Sequence, residues 1–139
     1  MKDVVLTPEK ELLVARLSNF LANRDEIVFA YVYGSFLRQK TFSDIDIGVF
    51  LRKPFLYDPL NFELELESAL QSLARFPVDL RVINFAPPSF VYNIIKESIL
   101  IVDKEPNMRA DFEGITCKKY FDFAAYRKRY LKEVTHAHL

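Results

Sequence analysis

Apolar positions along the chain fall into blocks with two different periods. Ile27-Val28-Phe29-Ala30-Tyr31-Val32-Tyr33 is an unbroken β-branched and aromatic run, the pattern of a strand buried on both faces. From Asp44 to Leu51 the pattern alternates. Ile45, Ile47 and Val49 point to one side, and Asp44 and Asp46 share the other, because successive side chains leave a strand on opposite faces. Pro77 to Ile83 alternates too, with Val78, Leu80 and Val82 facing one way and Asp79, Arg81 and Ile83 the other. Ile99-Leu100-Ile101-Val102 gives a further short strand.

Helical spacing fills the gaps. Thr7-Pro8 is an N-cap and first-turn pair, and Leu12, Leu13, Leu17, Phe20 and Leu21 form one stripe ending near Asn23. A loop with Pro54, Tyr57 and Pro59 leads into a helix through Phe62, Leu64, Leu66, Leu70 and Leu73, closed off before Pro77. After Pro87-Pro88, Ser89 is expected to cap a short helix to about Glu97. These elements predict an α/β (α+β) fold: a small mixed β-sheet with helices packed mainly on one face. Residues 1–104 form the core and residues 105–139 a C-terminal helical extension packed on the same domain.

That extension has its own texture. Phe112, Tyr120, Phe121, Phe123, Tyr126 and Tyr130 stand among Arg109, Lys118, Lys119, Arg127, Lys128, Arg129 and Lys132. Tyr120, Phe123, Ala124, Tyr130, Leu131 and Val134 make an approximately helical apolar stripe. It suits packing on the sheet, a partner surface with aromatic anchors and a basic rim, or a basic helix that touches nucleotide or RNA. His136 and His138 read as a solvated tail.

Composition narrows the class. With 139 residues the chain suits one domain and one core. No apolar run is long enough to span a bilayer, and the charged N-terminus lacks the apolar stretch of a signal peptide, so a cytoplasmic protein is expected. Cys117 is the only cysteine, which excludes an internal disulfide and reads as a small half-buried residue. Acidic and basic residues balance at 19 each, which gives no overall attraction to nucleic acid.

The candidate chemistry sits between the first two strands. Gly34, one of only three glycines, directly precedes Ser35 at the end of the first strand. Glycine there permits unusual backbone angles and close approach of a ligand. A short helix from Phe36 to Lys40 would put Ser35 and its neighbouring amides at a helix N-terminus, which suits phosphate. Asp44 and Asp46 on one strand face repel each other unless something neutralises them. A hard divalent cation does so, and Mg²⁺ typically binds through one or two carboxylates plus substrate phosphates. Solvated aspartates on an edge strand are the plainer alternative. Asp79 fits the same cluster as a metal ligand or general base; a salt bridge to Arg81 is its alternative.

Gly34-Ser35, seven intervening residues, then Ser43-Asp44-Ile45-Asp46, with Asp79 on a later strand, resembles the polymerase-β-type nucleotidyltransferase superfamily. The chain length resembles its minimal members, the MNT-type proteins paired with HEPN-domain toxins. The resemblance covers roughly residues 8 to 103 and implies the polymerase-β-like nucleotidyltransferase fold. It implies that Gly34 and Ser35 position a triphosphate, that Asp44 and Asp46 hold two Mg²⁺ ions, and that Asp79 assists the acceptor. Arg38 matches the arginine of the family's Gly-Ser-x-x-Arg-Gly pattern, and Ser43 joins the nucleotide-binding set. Gln39 stands where that pattern has glycine.

Two functions follow. In the first, the chain transfers AMP from ATP to a hydroxyl, by resemblance a tyrosine of a HEPN-type toxin, and thereby acts as an antitoxin. In the second, it is a non-catalytic antitoxin or binding module that neutralises its partner by complex formation.

Overall fold

The computed structural model describes Val4 and residues 6–137, with side chains to Thr135. His138, and the side chain of His136, therefore lie outside the described part. Helix α1 (Pro8–Ala22) starts where expected: the Thr7 hydroxyl accepts from the Lys10 amide at 3.2 Å, and Pro8 occupies the first turn. Strand β1 (Ile27–Tyr33) runs into the one-turn helix α2 (Ser35–Arg38). Strand β2 (Ile45–Leu51) begins one residue after Asp44, so Asp44 stands at its mouth and not within it. A 3-10 turn (Pro54–Leu56) leads to helix α3 (Pro59–Ala74), capped by the Asp58 carboxylate. Strand β3 (Val78–Val82), helix α4 (Pro88–Lys96), strand β4 (Ser98–Asp103) and the long helix α5 (Pro106–Ala137) complete the chain.

Helix α4 begins two residues earlier than a Ser89 cap would place it. Pro88 takes the first turn, no side chain caps the end, and Ser89 lies inside the helix. Proline is preset for that position and has no N–H to satisfy, so a hydroxyl cap is not needed.

The sheet has strand order β3-β2-β1-β4. β1 is antiparallel to β2 and β4, and β2 is parallel to β3. One face carries Ile45, Ile47, Val49 and Leu80, and packs against Leu17 and Leu21 of α1 and Leu66 and Leu70 of α3, all essentially inaccessible to solvent. The opposite face carries Phe29, Tyr31 and Ile83, and is covered in part by Val91 and Ile94 of α4 and Phe112 of α5. Burying these large side chains, each worth about 1.5–3 kcal/mol, is the main force holding the layers together.

The edge strand β3 is protected by an unusual ladder. The amides of Val78, Leu80 and Val82 donate to Gln71, Glu67 and Glu63 at 3.0, 2.8 and 2.9 Å. These side chains are four residues apart on one face of α3, so they line up along the strand. A bare edge invites pairing with another chain; here the helix satisfies the edge N–H groups and fixes the register of the strand that carries Asp79.

The first half of α5 is tied down. Phe112 packs on Phe29 and Phe50, Tyr120 stacks on Tyr92 at 4.0 Å, and the Tyr31 hydroxyl donates to Glu113 at 2.6 Å. Arg109 lies 3.0 Å from both Asp103 and Glu113; its contact to Asp103 is ionic, without hydrogen-bond alignment. Phe121 still touches Tyr92 edge-on at 5.4 Å; beyond it the helix leaves the domain, and every residue from 122 to 133 is exposed. Among the described residues no helix is long and apolar enough to cross a membrane.

Candidate active site

The site forms where β1 ends and β2 begins. Tyr33 pairs with Asp46 across the antiparallel ladder, and Asp46 pairs with Asp79 across the parallel one. One row across three strands therefore reads Tyr33, Asp46, Asp79. Asp44 precedes Asp46 by two positions and faces the same way. The register thus brings Asp79 beside the paired aspartates, although it lies 33 positions after Asp46 in sequence.

Gly34 is required by the geometry. Its backbone sits at φ +85° and ψ −161°, a region open essentially to glycine alone. A Cβ placed there would stand 2.3 Å from Asp46 Oδ2. The turn therefore lies directly against the carboxylate. Ser35 opens α2, and the helix stops after Arg38, two residues sooner than the sequence suggests, because Gln39 turns extended at φ −116° and ψ 141°. Any residue adopts that conformation, so this turn does not need glycine at position 39.

Burial, then Asp44, then Asp79 push the Asp46 carboxyl up to about 6, with Arg81 opposing. Burial disfavours the charged form first, and the two like charges on the same face add to it. Arg81 Nε donates to Asp79 Oδ1 at 3.0 Å, so the ion pair read as an alternative from sequence does form. Its partners are 57% and 39% exposed, which makes it a pair of low energetic value that another cation could displace. Ser43 is exposed, and its hydroxyl lies 3.3 Å from Asp44 Oδ1. Arg38 is paired with Glu97 at the end of α4. Together with Tyr33, Gly34, Phe90, Asn93 and Lys96 these two line a cavity of about 240 Å³ beside the glycine turn.

Sequence reasoning missed two of these neighbours. Tyr33 lies in the carboxylate row, and burial, Asp46 and Asp79 all push its hydroxyl pKa up; its place in the Tyr31-x-Tyr33 alternation was the available signal. Glu97 gave no signal, because its pairing with Arg38 spans 59 positions.

Three carboxylates are hard oxygen donors, and the burial and like charges that raise the Asp46 pKa would both be offset by a bound cation. Any divalent ion held by this row would complete its shell with water and substrate phosphates.

A glycine turn pressed against a strand-borne aspartate pair, with a third carboxylate in register on the next strand, is an arrangement suited to the chemistry of a nucleotidyltransferase. The sequence agrees with that class: the family model described as Polymerase beta, Nucleotidyltransferase matches residues 15–107. The chain belongs to this family, whose members use divalent metal ions. No curated protein matches the chain significantly. Among solved structures, the chain is similar to one in the complex of a tri-AMPylated Shewanella oneidensis HEPN toxin with MNT antitoxin. The identity is 22%, the TM-score 0.68, and the match covers 90% of this chain and 98% of that one. It is similar to one in the MntA–HepT toxin–antitoxin (21% identity, TM-score 0.67, coverage 90% and 98%). A third match is to a toxin–antitoxin with AMP-PNP (22% identity, TM-score 0.64, coverage 93% and 99%). At these identities the likeness is one of fold.

Proposed function

We propose that this protein is a Mg²⁺-dependent adenylyltransferase that moves AMP from ATP onto a tyrosine hydroxyl of a HEPN-type toxin, and so acts as a cytoplasmic antitoxin. The observation that carries this reading is the row of Asp46 and Asp79 beside Asp44, with Gly34 held against Asp46. The structural neighbours support the choice of nucleotide and acceptor, since one contains an AMPylated HEPN toxin and another AMP-PNP.

In this reading the amides of the Gly34-Ser35 turn and the Ser35 hydroxyl hold the triphosphate, with Ser43 beside them. Arg38 turns from Glu97 to a phosphate. Asp44 and Asp46 are the metal ligands, and Asp79 joins them or takes the acceptor's proton. Two bound Mg²⁺ ions supply polarisation of the α-phosphate and neutralisation of charge on the departing oxygen. The acceptor oxygen bonds to the α-phosphorus, the bond to pyrophosphate breaks, and the hydroxyl proton passes to Asp79. Residues 105–139 serve as an extension through which the partner is held, with Phe123, Tyr126 and Tyr130 exposed on its outer half.

The exposed half of α5 also favours the second reading, a non-catalytic antitoxin that works by complex formation alone. Labelled ATP, Mg²⁺ and the partner, incubated with wild type and with Asp79→Asn, separate the two. The adenylyltransferase reading expects label on the partner and a loss of roughly 10²-fold in single-turnover rate for the variant. Neutralisation of the partner without label transfer would establish the binding module instead.

A further inference from the structure

The first turn of α1 reaches the nucleotide loop through one buried cation. Lys10 is 4% exposed, yet it carries an ammonium group. Its Nζ donates to the carbonyls of Phe36 and Gln39, both at 2.5 Å, and lies 5.1 and 5.3 Å from the ring centres of Phe36 and Phe42. Burying an ammonium is costly unless such partners compensate it. A methionine would fill the same space without that cost. The carbonyls it holds lie at the C-terminal end of α2, where a one-turn helix leaves its C=O groups without intrahelical donors and where a cation is favoured.

We infer that Lys10 is a positioning residue for nucleotide transfer, clamping the segment from Ser35 to Asp44 through the carbonyls of Phe36 and Gln39. The segment is fixed at its start by Gly34 against Asp46, and at its middle by this ammonium group. Phe42, over which Lys10 also lies, leads directly into Ser43 and Asp44. The clamp therefore sets both the turn that takes phosphate and the approach to the first metal-ligating aspartate. The inference rests on the adenylyltransferase reading for its kinetic consequence, but not for its structural one.

Two variants and two readouts test it. Lys10→Met keeps the length and packing and removes the donors. Lys10→Arg keeps donors and charge, and a cavity of about 480 Å³ lined by Thr7, Lys10, Phe42 and Phe76 gives the larger head room. Lys10→Gln, with a donor but no charge, is measured alongside and should fall between them. The first readout is amide hydrogen exchange without nucleotide. Lys10→Met should speed exchange in residues 35–44 by roughly tenfold or more, leaving the β1 amides unchanged, because local opening is governed by local contacts. The second readout is steady-state transfer. After correction for folded fraction, kcat/KM for ATP should fall by roughly tenfold in Lys10→Met and recover to within about threefold in Lys10→Arg. If the wild type transfers no AMP, the function proposed above fails, and hydrogen exchange alone decides the clamp. Exchange in 35–44 that stays unchanged relative to β1 overturns the inference, as does a Lys10→Met enzyme that is merely less stable with unaltered kcat/KM.

Discussion

Asp46→Asn is the most informative single change, because it should stabilise the protein while disabling the centre. Burial and two neighbouring carboxylates raise the Asp46 carboxyl from its ordinary 3.8 to about 6. A carboxyl whose pKa is higher when folded binds a proton on folding, so folding is favoured at low pH, and that contribution is lost as pH rises through about 6. Above that pH the ionised side chain opposes folding. A shift of about two pKa units corresponds to about 3 kcal/mol. Asp46 is only half-buried, so solvent screening reduces this to about 1 kcal/mol. Asparagine keeps the shape and removes the charge. In EDTA at pH 8 the variant should therefore unfold about 3–4 °C higher than wild type, the scale for a domain of this size. At pH 4.5 folded wild-type Asp46 is protonated while the unfolded side chain, with its ordinary 3.8, is still largely ionised, so the gap should shrink to about a third and close only as pH falls below about 3.8. Adding Mg²⁺ and a non-hydrolysable ATP analogue should stabilise wild type and leave the variant unmoved. A variant less stable than wild type at pH 8, or a gap of equal size at both pH values, would refute the crowding of carboxylates on this face.

Two further outcomes follow from the geometry. Gly34→Ala places a side chain in a backbone region that costs about 1–3 kcal/mol, with its Cβ 2.3 Å from Asp46 Oδ2; calorimetry should show a lower melting temperature and nucleotide titration a loss of binding, and wild-type affinity in the folded variant contradicts the placement of the turn. Glu67→Ala leaves the Leu80 amide of the edge strand without its acceptor and should cost about 1.5–3 kcal/mol in urea unfolding. Glu65→Ala, on the same helix as Glu67, breaks only an exposed pair with Arg24 from the turn after α1 and should cost under about 0.5 kcal/mol; equal effects of the two would mean that the ladder contributes nothing.

The four strands were legible because their signals are local. The β-branched run of β1, the alternation of β2 and β3, and the prolines at the starts of α1 and α3 each act within a few residues. Differences arose where a boundary depends on the neighbouring backbone. Helix α2 stops at Arg38 because Gln39 is held extended, and α4 begins on Pro88 without the serine cap that Ser89 suggested. The apolar stripe expected on the C-terminal helix is divided by the tertiary structure. Tyr120 packs on Tyr92, whereas Phe123, Tyr130 and Leu131 face solvent.

The sequence by itself determined the turn chemistry, the shared face of Asp44 and Asp46, and the membership of Asp79 in an alternating strand. Period-two geometry and the conformational freedom of glycine are properties of a few consecutive residues. Only the tertiary structure decided that Asp79 lies in register with Asp46, that Tyr33 stands in the same row, that Arg38 rests on Glu97, and that Lys10 reaches the carbonyls of Phe36 and Gln39. Each of these joins residues far apart in sequence. The packing of α1, α3 and α4 around the sheet selects such contacts, and no periodicity along the chain encodes which distant group a side chain will meet.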